Sequence, residues 1–199
     1  MLSSCSRALA LASVAFSTLA QPSPATRPAA AYDTAAPRKP GLLVEQSLQQ
    51  LQNDDWILRW QAMEDLVALK TPAAIAPLSA IVSSPKEHPW PRSRALVAMA
   101  RMGAPSALEQ ALNLAADKEP ELRAGAVEAL GILGSDRGLH IARERIADAS
   151  PAVQAAALIA YARIGKAAAW DAVNAALAGD PKEAGFRAIV YVPTAAARQ

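Results

Sequence analysis

The sequence predicts an all-α fold, an α-solenoid of about four stacked helical hairpins. Two observations predict it: a segment that recurs at a nearly constant interval, and a helical spacing of apolar residues inside each copy. Arg59, Arg92, Arg123 and Gln154 mark equivalent points, separated by 33, 31 and 31 residues. Three residues after each anchor stands alanine: Ala62, Ala95, Ala126 and Ala157. Four after stand Met63, Leu96, Val127 and Leu158, and seven after stand Leu66, Met99, Leu130 and Tyr161. A fixed period in this range means that one small helical unit is repeated and that neighbours must stack to bury a shared core. The chain is 52% hydrophobic but only 5% aromatic. Alanine supplies much of that apolar content, favours helix and lets helices approach closely.

Residues 1–20 carry one base, Arg7, and no acid. The apolar or small run from Ala8 to Ala20 is shorter than the about 20 residues that span a bilayer. Its length suits the core of a secretory signal, with Thr18-Leu19-Ala20 as a small-residue cleavage site. Export to a periplasm or the exterior is therefore expected, with no membrane span once the signal is removed. Frequent serine and the lack of acids before Asp33 keep an organellar transit peptide as the alternative. Cys5 is the single cysteine, so neither an internal disulfide nor a cysteine cluster can form. Residues 21–41 hold Pro22, Pro24, Pro28, Pro37 and Pro40 without hydrophobic period, and read as a disordered linker.

Residues 42–53 read as an N-terminal capping helix, resembling a second helix without its first. Four units follow, at 54–84, 85–117, 118–148 and 149–180. The first helix of each runs from about three residues before the anchor to ten after it. Pro89, Pro120 and Pro151 stand at its start, where a missing N–H is harmless. Ser150 is the best candidate N-cap, and Asp54 or Asp55 serves the first unit. Gly103, Gly134 and Gly165 are placed to end the first helices in a left-handed conformation, whereas Pro72 closes the first unit. The second helices align at Ile75, Leu108, Leu139 and Trp170, then Leu78, Ala111, Ala142 and Val173, and finally Val82, Ala115, Ile146 and Leu177. Spacings of three, four and seven put these on one face. Residues 181–199 read as a partial fifth repeat or a C-terminal cap, and Ile189, Val190 and Tyr191 there need a partner.

The pattern Leu122-Arg123-x-x-Ala126-Val127-x-Ala129-Leu130-Gly131-x-Leu133-Gly134 resembles the HEAT repeat, in the short form also seen in phycobilisome lyase subunits. The resemblance covers residues 54–180. It implies a right-handed superhelix whose second helices line the concave side. It also implies a ladder of anchor arginines and loop aspartates: Arg59, Arg92 and Arg123 with partners among Asp54, Asp117, Asp148 and Asp180. Gln154 departs from that pattern, and Arg92 has no aspartate close upstream.

Little chemistry is written into the chain. The only histidines are His88 and His140, too few for a metal site of three or four converging ligands. No nucleophile elbow, triad order or phosphate-cradling glycine loop occurs, so no catalytic residue, metal or cofactor is expected. Charge is nearly balanced at +2, which argues against a nucleic-acid partner. The expected binding surface lies on the second helices, at Glu109, Asn113, His140, Arg143, Glu144, Asp171 and Asn174. Its mixed signs favour a protein or peptide partner. Trp60 and Trp90 are candidate aromatic contacts, and Trp170 aligns with core leucines. The resulting expectation is a non-enzymatic, exported scaffold for protein–protein contact. The alternatives are a lyase-like or chaperone subunit, as the resemblance implies, and a structural module that self-associates through its C-terminal edge.

Overall fold

The computed structural model describes residues 40–179 and 182–193. The chain divides into two units, Met1–Pro37 and Arg38–Gln199, and all described residues belong to the second. The expected signal, the linker up to residue 39 and Asp180 lie outside them.

Ten α-helices and short 3-10 turns make up the described residues, with no strand among them. They are α1 (Pro40–Gln50), α2 (Trp56–Leu69), α3 (Ile75–Ser83), α4 (Pro89–Arg101), α5 (Pro105–Leu114), α6 (Pro120–Leu133), α7 (Asp136–Arg145), α8 (Pro151–Gly165), α9 (Trp170–Ala178) and α10 (Lys182–Ala188). This is the predicted α-solenoid. Helix α1 begins at Pro40, so the expected linker is one to two residues shorter than its composition suggested.

Local chemistry accounts for the ends. The Asp55 carboxylate accepts from Ile57 N–H and caps α2, and His88 Nδ1 accepts from Trp90 N–H and caps α4. Ser150 occupies the N-cap of α8, but its hydroxyl caps nothing. The work passes to Asp148, whose Oδ1 accepts from Ser150 N–H at 2.9 Å. Asp117 and Asn53 make the same two-residue turn onto Glu119 and Asp55. Gly103 and Gly134 take φ of +70° and +65°, as expected. Gly165 does not: it stays right-handed at φ −80°, and Lys166 turns the chain at +47°. A Cβ at Gly165 would lie 3.1 Å from Leu139 Cδ1, so its small size serves packing. In the first unit the left-handed residue is Lys70, not the region of Pro72.

The core follows the repeat register. Ala62, Ala95, Ala126 and Ala157 are all fully buried, and so are Leu66, Leu96, Leu130 and Leu158. Trp170 is half-buried and packs on the core, as its alignment with leucines implied. Two packing relations organise the stack. Within hairpins, α1 lies on α2, α3 on α4, α5 on α6, α7 on α8 and α9 on α10. Each second helix therefore packs more on the first helix that follows it than on the one before it. Helix α1 is the opening arm of a complete hairpin and α10 the closing arm of another, giving five hairpins. Between hairpins, α4, α6 and α8 pack far more extensively on one another than α5, α7 and α9 do.

Small residues explain that asymmetry. An added Cβ at Gly125 would stand 2.7 Å from Ser93 Cβ, and one at Gly131 would stand 2.7 Å from Ala160 Cβ. Helices without side chains at the crossing come closest together. The even-numbered helices therefore form the more closely packed layer, and its solvent side is the inner face.

Candidate interaction surface

The inner face carries the recesses. One of about 470 Å³ is lined by Trp60, Met63, Glu64, Val67 and Lys70 of α2 and its C-cap, Val97, Ala98 and Arg101 of α4, and Ile132 of α6. Another of about 370 Å³ is lined by Ala124 of α6, Ala155, Ala156 and Ile159 of α8, and Arg187 and Tyr191. Arg94, Glu128 and Arg163 line both, so the two form one groove crossing α2, α4, α6, α8 and α10.

Its lining mixes apolar side chains with ordered charges. Arg101 places Nη1 2.7 and 2.8 Å from the two carboxylate oxygens of Glu64. Arg94 donates to Glu128 at 2.9 Å. Each pair bridges neighbouring hairpins. Arg163 lies over the Tyr191 ring, 5.1 Å from its centroid. Among the described residues no carboxylate stands within ion-pair distance of Lys70, Arg163 or Arg187. Among the described residues the groove therefore keeps three cations beyond those that acids engage.

A second recess, of about 410 Å³, lies at the helix starts. Trp56 and Trp90 meet there edge to face, with centroids 5.2 Å apart, beside His88 and Pro91. Trp90 is thus half-buried against Trp56, away from the groove, while Trp60 is 41% exposed in it.

The second-helix residues singled out from sequence are all exposed: Glu109, Asn113, His140, Arg143, Glu144, Asp171 and Asn174. They do not line any of these three recesses. Glu109 pairs with Arg137, and His140 with Glu144 one turn on. The recesses follow the first helices and not the second-helix positions singled out from sequence.

The ladder also differs from expectation. Arg123 donates through Nε and Nη2 to both oxygens of Asp148, at 2.9 and 2.7 Å. Its Nη1 donates to the main-chain carbonyls of Asp117 and Lys118. Asp117 thus supplies its backbone oxygen, and the carboxylate partner, Asp148, comes from the loop after α7. Arg59 likewise reaches forward to Glu87 at 3.0 Å, and not to Asp54. Arg92 donates to the Val82 carbonyl, and Gln154 to that of Asp148. The hydrogen bonds from Arg123 hold the Asp148 carboxyl below its ordinary value of 3.8, against the opposing effect of burial. The same pairing raises Arg123.

Sequence reasoning missed Glu64, Arg94, Arg101, Glu128 and Arg163. A signal existed. Five residues after the anchors the chain reads Glu64, Val97, Glu128, Ile159, and nine after it reads Ala68, Arg101, Ile132, Arg163. Charge alternates with apolar character from unit to unit, off the core stripe. Among the described residues no cluster of His, Cys, Asp or Glu could hold a metal ion, and no helix is long and apolar enough to cross a membrane.

Comparison with known proteins agrees with this architecture. Residues 84–149 match the family model for HEAT repeats. No curated protein matches at a significant level. Among solved structures, the chain is similar to the complex of CpcE and CpcF of phycocyanin lyase from Nostoc sp. PCC7120. The identity is 21%, over 80% of this chain and 68% of that one, with a TM-score of 0.56. At that identity the likeness shows the fold.

Proposed function

We infer that this chain, a HEAT-repeat protein, is a non-enzymatic scaffold that holds a protein partner along its inner groove and works after export. The observation that carries this reading is the groove itself: it continues across five helices, and Trp60 stands exposed at one end. Exposed aromatics in a recess are typical anchors of protein interfaces. The apolar run before Gln21 supports export. A photo-cross-linking side chain placed at position 60, and separately at position 143, tests the reading in the native host. Partner adducts are expected from position 60. Adducts from position 143 alone, or turnover of a substrate by the purified protein, would overturn it. N-terminal sequencing should find a mature chain starting at Gln21.

A second reading makes the chain a subunit of a lyase-like complex, which the likeness to the phycocyanin lyase structure favours. It expects the purified protein to bind a bilin and develop a shifted absorbance band. An unchanged spectrum after incubation removes it.

A further inference from the structure

We propose that the occupant of the inner groove is an extended, acidic segment of a partner protein, with apolar side chains between its carboxylates. This rests on the scaffold reading above and specifies the partner's chemistry.

Charge complementarity selects the acid. Glu64 and Glu128 are engaged by Arg101 and Arg94, while Lys70, Arg163 and Arg187 face the groove without a carboxylate among the described residues. The whole chain carries only +2, so this surplus of three is concentrated on one face. The lining between the cations selects the apolar side chains. Trp60, Val97, Ile132 and Ile159 alternate along the groove with the charged positions. A uniform polyanion fits poorly, because Glu64 and Glu128 would meet its charges at two points along the path. Five helices spaced about 9–10 Å apart give a path of about 40 Å, which an extended chain at about 3.3 Å per residue covers with about twelve residues.

The test uses the full-length protein and a dye-labelled peptide of about twelve residues that alternates glutamate with leucine and serine. Its counterpart carries lysine for glutamate, and a single-stranded oligonucleotide of equal charge is the polyanion control. Fluorescence anisotropy should show the acidic peptide binding at least about tenfold more tightly than either. Exposed ion pairs are individually modest and screened by salt, so Arg187→Glu should weaken binding about fivefold and Arg163→Glu/Arg187→Glu more than about tenfold. Raising salt from about 50 to 500 mM should weaken the unmodified protein's binding by a similar factor, and this arm requires no variant to fold. Equal affinity for the lysine peptide, tighter binding of the oligonucleotide, or affinity indifferent to salt overturns the proposal. Failure here can be told from failure of the scaffold reading. A partner cross-linked from position 60 through a basic or neutral segment leaves the scaffold standing and removes the acidic occupant. Adducts from position 143 alone remove both.

Discussion

Asp148 accepts hydrogen bonds from three donors. Arg123 binds both its oxygens, Ser150 N–H binds one of them, and Arg145 stands 3.8 Å away. The carboxylate is only 4% exposed, yet it lies near the surface, so solvent still screens the pair. Breaking one partner of a buried ion pair costs several kcal/mol in the fully buried limit. At this shallow site Asp148→Asn should cost about 2 kcal/mol, since the amide keeps the turn and loses the bidentate bond. The pH dependence has a definite sign. The folded carboxyl titrates below its unfolded value, so its stabilisation is present above about pH 4 and lost as pH falls through the folded value. Denaturant melts of the two proteins should therefore differ most near neutrality and converge as pH falls through the folded carboxyl's titration. A gap that is constant with pH would rule this account out. The importance of Asp148 was legible in the sequence as a loop aspartate. Its partner was not, because the direction in which a long arginine leans is set by where the next hairpin lands.

At the scale of the helix, two glycines at the end of α6, Gly131 and Gly134, act through different physics. Gly134 ends α6 at φ +65° with open space around its missing Cβ. Alanine there strains the backbone by about 1 kcal/mol, and asparagine, which tolerates that conformation, should recover most of it. Gly131 has ordinary helical geometry, but a Cβ would meet Ala160 Cβ at 2.7 Å and Ala160 Cα at 2.8 Å. Backbone cannot swing aside, so alanine should push α6 from α8 and cost about 1–3 kcal/mol, and asparagine should be worse than alanine. Thermal melts of the four variants check this: the asparagine–alanine order should invert between the two sites. The periodic apolar stripe made the helices and their buried faces readable from residues alone. Pairing them was harder. Each helix is flanked by two others of similar length and similar short loops, so the pattern fits either frame. In the structure both α1 and α10 have partners, α2 and α9. The same ambiguity hid the inner face, which depends on how closely Gly125, Gly131, Ser93 and Ala160 let neighbouring helices approach.

For the whole molecule, a stack in which each hairpin touches only its neighbours distributes stability unevenly. Helix α6 is flanked by α4 and α8, whereas the α9/α10 hairpin packs on α8 from one side only. Ile189, Val190 and Tyr191 at that end are exposed, with Val190 at 74%. Local opening should therefore begin at the α9/α10 hairpin and reach α6 only with global unfolding. Hydrogen exchange monitored by mass spectrometry should show fast protection loss over residues 170–192 and the slowest exchange over 120–133. The groove ends in this weak hairpin, where Arg187 and Tyr191 line its last recess. An occupant spanning the groove binds only the closed hairpin, and it stabilises that state by an amount that grows with the logarithm of its concentration over its dissociation constant. At a concentration of about 100 Kd that amounts to about 2.7 kcal/mol, or about a hundredfold slowing of exchange in α9 and α10, and of α6 as well wherever it exchanges through global unfolding, because every opening that destroys the site is opposed equally. A ligand that slows exchange in α5 and α7 instead would place the binding surface on the outer helices, and would return the argument to Glu109, Arg143 and Asp171.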